Sequence, residues 1–319
     1  MRRGLSPRRD VVVIRLSYDN LYWLLRGRKM ANINRRRSEN INGNFYVDTT
    51  CIDCDTCRWM APEVFTQEGE QSAVYHQPTN EMEERQALAA LLSCPTSSIG
   101  TVEKPKNIKE VQQNLPALVA ENVYHCGYHS EKSYAAASYL IVRPEGNILV
   151  DSPRFVPPLV KNIEAMGGIR YMYLTHRDDV ADHQQYHDYF GCDRILHADE
   201  INAGTRSVEI KLSRSEPHQI ADDLLIIPVP GHTKGHTVLL YNNKFLFSGD
   251  HLAWSESLQQ LVGFPEVCWY SWPEQIKSMQ NLANYDFEWV LPGHGRRYYA
   301  DRETMREQMQ QCIAWMVDA

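Results

Sequence analysis

Histidines and aspartates gather where they could bind a metal ion: His176, Asp178, Asp179, Asp182 and His183 in one stretch, Asp151 before it, and His232, Asp250 and His294 after it. Imidazole nitrogen and carboxylate oxygen suit zinc, iron or manganese. The β-prone run Tyr171-Met172-Tyr173-Leu174 leads into Thr175-His176 and then a burst of carboxylates. Phe245-Leu246-Phe247 ends in Ser248-Gly249-Asp250, and Val290-Leu291 ends in Pro292-Gly293-His294-Gly295. His232 lies in the Gly-rich turn Pro230-Gly231-His232-Thr233-Lys234-Gly235-His236. Each apolar run reads as a buried strand whose end presents one ligand, and a strand end is a rigid place for it. In the central stretch Asp179 reads equally well as the cap of a following helix.

A second set is made of thiols. Cys51-Ile52-Asp53-Cys54-Asp55-Thr56-Cys57 is a C-x2-C-x2-C run, and Cys94-Pro95 follows at a distance. Three thiolates on one loop can hold three corners of a cubane cluster, and a remote Cys-Pro supplies the fourth. Zinc knuckles pair one C-x2-C with another, so three plus one favours a [4Fe–4S] cluster. Cys126, Cys192, Cys268 and Cys312 lack cluster spacing and read as free thiols.

Strands must position the metal ligands, and helices must cover the strands. Tyr134–Val142 and Ile148–Val150 read as a hairpin about Pro144-Glu145-Gly146-Asn147 that delivers Asp151. Helices are expected over Glu81–Leu92, Leu159–Met166, Ala181–Phe190, Pro273–Asn284 and Asp301–Val317. Phe264, Trp269, Tyr270 and Trp272 form an aromatic loop that either walls a pocket or packs in the core.

Strand ends carrying Asp151, His176, His232, Asp250 and His294 in this order resemble the metallo-β-lactamase superfamily, over about residues 116–319. The resemblance implies an α/β (α+β) fold, an αββα sandwich with a one- or two-metal site along one edge of its sheets. It implies that Asp250 bridges two metals and that Asp151 supports the site without binding. The family's second motif reads His-x-His-x-Asp-His. Here it is two residues longer and its second His is missing. Counted from Thr175, His176 keeps the first role and Asp178 takes the second. Counted from the other end, Asp182 and His183 keep the last two, as metal ligands and catalytic groups. Either the loop bulges at Val180-Ala181 and keeps both ends, or one metal position is lost. The cysteine-bearing segment resembles a single-cluster bacterial ferredoxin, with Cys51, Cys54, Cys57 and Cys94 as cluster ligands.

The chain has 319 residues, 43% of them hydrophobic, and a net charge of −7. Residues 1–40 hold eleven Lys/Arg against three Asp/Glu, which leaves −15 for the remainder. An acidic body argues against nonspecific nucleic-acid binding. No apolar run approaches the length of a membrane span. Cluster-type cysteines imply a reducing compartment, and the expectation is cytoplasmic. Four segments are expected: a basic extension (1–40), a ferredoxin domain (41–105), a linker (106–120) and the sandwich (121–319). The extension reads either as an organelle-targeting segment or as a mis-assigned start, with Met30 the first residue.

Two chemistries compete, and the first is the expected one. One is hydrolysis of an ester, thioester or phosphoester by metal-activated water, with one or two zinc or iron ions, or manganese. The other is redox chemistry resembling flavodiiron proteins, which carry a carboxylate where other members have the second His. Asp178 would take that part, and the cluster would feed electrons. A third reading makes the cluster a sensor. The expected partners are a small-molecule substrate and a redox protein docking at the ferredoxin domain.

Overall fold

A computed structural model describes residues 30–213 and 215–319. The expectation of an extension or a mis-assigned start therefore lies, for residues 1–29, outside the described residues. Two sheets form the middle of the larger unit. In the first, seven strands run in the order Ile210–Leu212, Asp193–His197, Tyr171–Tyr173, Ile148–Val150, Tyr139–Ile141, Val123–His125, Ala117–Ala120. In the second, six run in the order His218–Ala221, Leu224–Pro228, Thr237–Tyr241, Phe245–Gly249, Trp289–Pro292, Tyr298–Tyr299.

Strand periodicity decides which side chain meets which layer. Ile148 and Val150 point between the sheets with Tyr173, Phe245, Phe247 and Leu291. Leu149 and Met172 point outward against Leu159 and Ile163 of helix Pro157–Ala165 and Tyr186 of helix His183–Phe190. Leu246 and Val290 point to the opposite outer layer, against Met279 of Trp272–Leu282 and Met305, Met309 and Met316 of Arg302–Asp318. Helices thus cover both outer faces, and the αββα arrangement follows from strands that are apolar on both faces. The chain is mixed α/β, with seven α-helices among the described residues.

The ferredoxin unit pairs Phe45–Val47 with Ile99–Thr101 and Phe65–Glu68 with Gln71–Val74. Helix Glu81–Ser93 is capped by Asn80, whose side chain accepts from the Glu83 amide, while Glu83 bonds back to Thr79.

Three expected boundaries move. Residues 30–40 pack on the ferredoxin unit: Arg37 is buried and donates to the carbonyls of Ser72 (2.6 Å) and Glu68 (2.9 Å). The basic extension therefore cannot run to residue 40. The expected linker is structured, because Ile108–Gln113 is helical and Ala117–Ala120 is the edge strand of the first sheet. The strand expected from Tyr134 spans only Tyr139–Ile141. Tyr134 (φ 46°) and Ala135 (φ 77°) are left-handed, which a continuous strand excludes.

Candidate metal and cluster sites

Four donor atoms surround a metal-sized gap at one edge of the sandwich. Asp250 Oδ2 lies 3.6 Å from His176 Nε2 and 3.7 Å from His232 Nε2. Asp178 Oδ2 lies 3.9 Å and 4.0 Å from the same two nitrogens. A tetrahedral ion with ligands at about 2.0–2.2 Å spaces its donors roughly 3.3–3.6 Å apart, so the gap fits an ion with a small contraction. His176 Nε2 and both ring nitrogens of His232 are buried without a hydrogen-bond partner. Buried polar atoms are rarely left unpaired, and a metal ion in the gap would satisfy the two Nε2 atoms.

The other oxygen of the bridging carboxylate faces a second cluster. Asp250 Oδ1 is 2.8 Å from His294 Nδ1. Asp179 is buried, its two carboxylate oxygens have no partner, and it groups with His176 and Asp250 as a possible metal triad. A Cβ on Gly293 would lie 2.5 Å from Asp179 Oδ2 and 3.0 Å from Asp250 Oδ1, so only glycine lets the two carboxylates approach there. Asp179, Asp250 and His294 can hold a second ion.

Asp182 and His183, expected as ligands and catalytic groups, are not brought to this site. The Asp182 carboxylate takes Lys132 Nζ at 2.5 Å and the Phe155 amide at 2.9 Å. His183 turns its ring to Arg194, with Nδ1 3.0 Å from a guanidinium nitrogen. The two extra residues are not bulged out after Asp178. The chain commits Asp179 at once and then turns through Ala181 (φ 29°) into the helix, carrying Asp182 and His183 past the gap. Asp179 is the residue that sequence reasoning missed. Its place one residue after Asp178 was the available signal, masked by the equally good reading as a helix cap.

Hydrogen bonds behind the ligands set their direction. Asp151 accepts from the Thr175 amide (2.8 Å) and hydroxyl (3.1 Å). With its hydroxyl proton on Asp151, Thr175 Oγ1 accepts from His176 Nδ1 at 3.0 Å. His176 is thereby fixed with Nε2 unprotonated and aimed at the gap. His236 Nε2, at the end of the Gly-rich turn, accepts from the Asp250 amide at 3.2 Å and orients that residue. Thr175→Val is expected to weaken metal affinity by about 10–100-fold, read by competition with a chelator. Unchanged affinity would remove Thr175 from the site.

Burial disfavours charge throughout. It pushes His176 down to about 3 even with Asp250 alongside, lowers His232, and raises Asp178 and Asp179. Burial also opposes charge on Asp250 and His294, but their mutual attraction wins, dropping Asp250 far below the carboxylate range and lifting His294 to about 10. In the metal-free protein His294 is thus an imidazolium at neutral pH. A metal needs its unprotonated nitrogen, so metal uptake must expel that proton. Affinity is expected to rise with pH until about 10, where His294 has lost it. Calorimetry in two buffers of different ionisation enthalpy should show proton release at pH 7, and identical heats would contradict it.

The four cluster cysteines come together without disulfides. Asp53 (φ 57°) and Asp55 (φ 61°) turn the loop left-handed, and Arg58 ties both carboxylates, at 2.5 Å and 2.6 Å. The Ser98 amide donates to Cys94 Sγ at 3.2 Å. Burial pushes Cys54 up to about 11 and raises Cys57 well above the usual thiol range, so these thiolates need the positive charge that cluster irons supply. The residues fit the cluster.

The two sites meet across the domain contact. Asp55 pairs with Arg296 at 3.3 Å, and Arg297 lies over the Trp59 ring at 4.7 Å. The Thr56 hydroxyl is 3.3 Å from His129 Nδ1. Tyr134 donates its hydroxyl to the Ile52 carbonyl, between Cys51 and Cys54, at 2.7 Å. From the aromatic loop, the amides of Trp269 and Tyr270 bond the His232 carbonyl, while Trp272 packs against the last helix.

Residues 47–101 match the family profile of the 4Fe-4S single cluster domain of ferredoxin I. An uncharacterized Bacillus subtilis protein, YobT, is 30% identical over 131 residues, 37% of this chain and 56% of its own length. The chain thus spans little more than half of that curated relative. Among solved structures, VMB-1 aligns at 19% identity over 63% of this chain and 95% of its own, with TM-score 0.48. The BLEG-1 B3 metallo-beta-lactamase aligns at 16% over 61% and 99%, with TM-score 0.47. ST1585 from Sulfolobus tokodaii, an archaeal metallo-beta-lactamase superfamily protein, aligns at 16% over 60% and 86%, with TM-score 0.42. No helix among the described residues is long and apolar enough to cross a membrane.

Proposed function

We propose that this chain, a 4Fe-4S ferredoxin domain joined to a sandwich of metal-dependent hydrolase type, works as an oxidoreductase. In this reading the cluster delivers electrons to the sandwich's metal site, which passes them to a small oxidised substrate such as dioxygen or nitric oxide. One observation carries it: Tyr134 touches the cluster loop through its hydroxyl and His294 through its carbonyl, at 2.7 Å and 3.3 Å. That contact gives an electron carrier a direct, bonded route to a residue of the metal site.

The donor set supports the same reading. Three histidines with three carboxylates and no thiolate suit non-haem iron, and the carboxylates make the site hard. Bound there, the metal would supply redox and Lewis-acid chemistry. Asp250 joins the two positions, one oxygen to each. Asp178, half exposed, borders the side open to solvent, where a small substrate can enter. Asp151 and Thr175 keep His176 in its ligating tautomer.

Asp178's exposure also favours a second reading, in which water reaches the same ion and is activated to attack an ester-type bond. Anaerobic reductive titration of the full chain separates the two. The oxidoreductase takes up more electrons than its cluster alone accepts, and reoxidises when dioxygen or nitric oxide is added. Uptake limited to the cluster, with hydrolysis of a model ester, would overturn the proposal in favour of the second reading.

A further inference from the structure

The segment Ser130–Ala137 is a strained strap between the two units. Ser130 caps the short turn Glu131–Ser133 by accepting from the Lys132 amide. Tyr134 and Ala135 follow, both non-glycine and both left-handed. Two such residues in succession are strained, and persist only where surrounding contacts enforce them. Here they do. The Ala135 carbonyl meets His129 Nδ1 at 2.6 Å, and the Ala137 amide donates to Gly293, next to His294, at 2.7 Å. The carbonyls of Ser133 and Tyr134 accept from His294 Nε2 at 3.1 Å and 3.3 Å.

The strain buys a particular placement of Tyr134. Tyr134 is 57% exposed, so core packing does not explain it. Its hydroxyl reaches out of the sandwich to the Ile52 carbonyl, inside the cluster loop. Its ring lies 6.3 Å from that of His294. Partial burial, then Cys54, Asp53 and Cys51, raise its phenol above the usual range, so it stays a neutral donor at neutral pH. His294 is ready to ligate through Nδ1 while its Nε2–H stays on the strap carbonyls, a common arrangement for a metal-bound histidine.

We infer that Tyr134 is the electron bridge between the two metal centres, a role that rests on the oxidoreductase reading. The route is covalent or hydrogen-bonded throughout: cluster loop, Ile52 carbonyl, Tyr134 hydroxyl and side chain, Tyr134 carbonyl, His294 ring. With both groups bound, one electron would pass from the reduced cluster, oxidised by one unit, to the metal that His294 would hold, reduced by one unit. No bond forms or breaks and no proton moves. Tyr134 is a positioning residue that shortens the tunnelling gap, since a hydrogen bond couples two groups better than a van der Waals space.

The test is flash reduction of the cluster in the anaerobic full chain, with both metal centres loaded, followed by cluster reoxidation in its visible absorbance. In the natural protein the recovery should be first order and independent of protein concentration. Tyr134→Phe keeps the ring and loses the hydrogen bond, and should slow recovery by about an order of magnitude. Its cluster potential and bound metal should be unchanged. Tyr134→Ala should be slower still, and Tyr75→Phe, on the ferredoxin surface, should match the natural protein. Recovery at the natural rate in both Tyr134 variants overturns the bridge and leaves the oxidoreductase reading standing. Slow recovery with loss of bound metal overturns it too, since Tyr134 would then be holding the site. No intramolecular recovery in the natural protein overturns both.

Discussion

Asp250→Ala is expected to empty the sandwich of metal and abolish activity. The carboxylate serves both positions at once, with Oδ2 3.6–3.7 Å from the Nε2 atoms of His176 and His232 and Oδ1 2.8 Å from His294. Its loss takes a donor from each ion and removes the charge that steadies His294. Asp178→Ala should be milder, because Asp178 is half exposed and faces the first position. Asp182→Ala should keep its metal, because that carboxylate is spent on Lys132 and the Phe155 amide. Metal content over the four cluster irons, measured for the three variants, checks the order. Full occupancy in Asp250→Ala would dismiss the site, and an Asp182→Ala protein without metal would return that residue to the ligand set.

Cys54→Ser should remove the cluster, its brown colour and its broad visible band. A serine hydroxyl is a poor substitute for a thiolate, and cluster binding is part of the folding energy of so small a unit. The sandwich metal should stay, since none of its donors lies in the ferredoxin unit. Cys312→Ala is the contrast: Cys312 is buried in the helix-covered core, and its loss should leave the cluster intact. A Cys54→Ser protein with a full cluster would refute the assignment.

The strand ends were legible because each combines an apolar run with one polar ligand, and the packing of both faces follows from that run. His232, Asp250 and His294 needed nothing more. The thiol spacing was as plain. The altered loop was not legible. After His176, four acidic or histidine side chains (Asp178, Asp179, Asp182 and His183) compete for the gap, and spacing alone does not say which ones the backbone turns inward. The turn at Ala181 and the hold of Lys132 on Asp182 decide it, and Lys132 is 50 residues away in sequence. Tyr134 was hidden for the same reason. Its neighbours Tyr139 to Ile141 read as a strand, and extending that strand backwards conceals a left-handed turn set by contacts with His129, Gly293 and His294, the last two more than 150 residues away in sequence.

The central claim is that cluster electrons reach an iron site in the sandwich, and metal analysis of the anaerobically purified full chain tests it most directly. The account predicts about six irons per chain, four in the cluster and two held by His176, Asp178, Asp179, His232, Asp250 and His294, with little zinc. Four irons accompanied by stoichiometric zinc would contradict it, because zinc has no redox chemistry with which to accept the electrons.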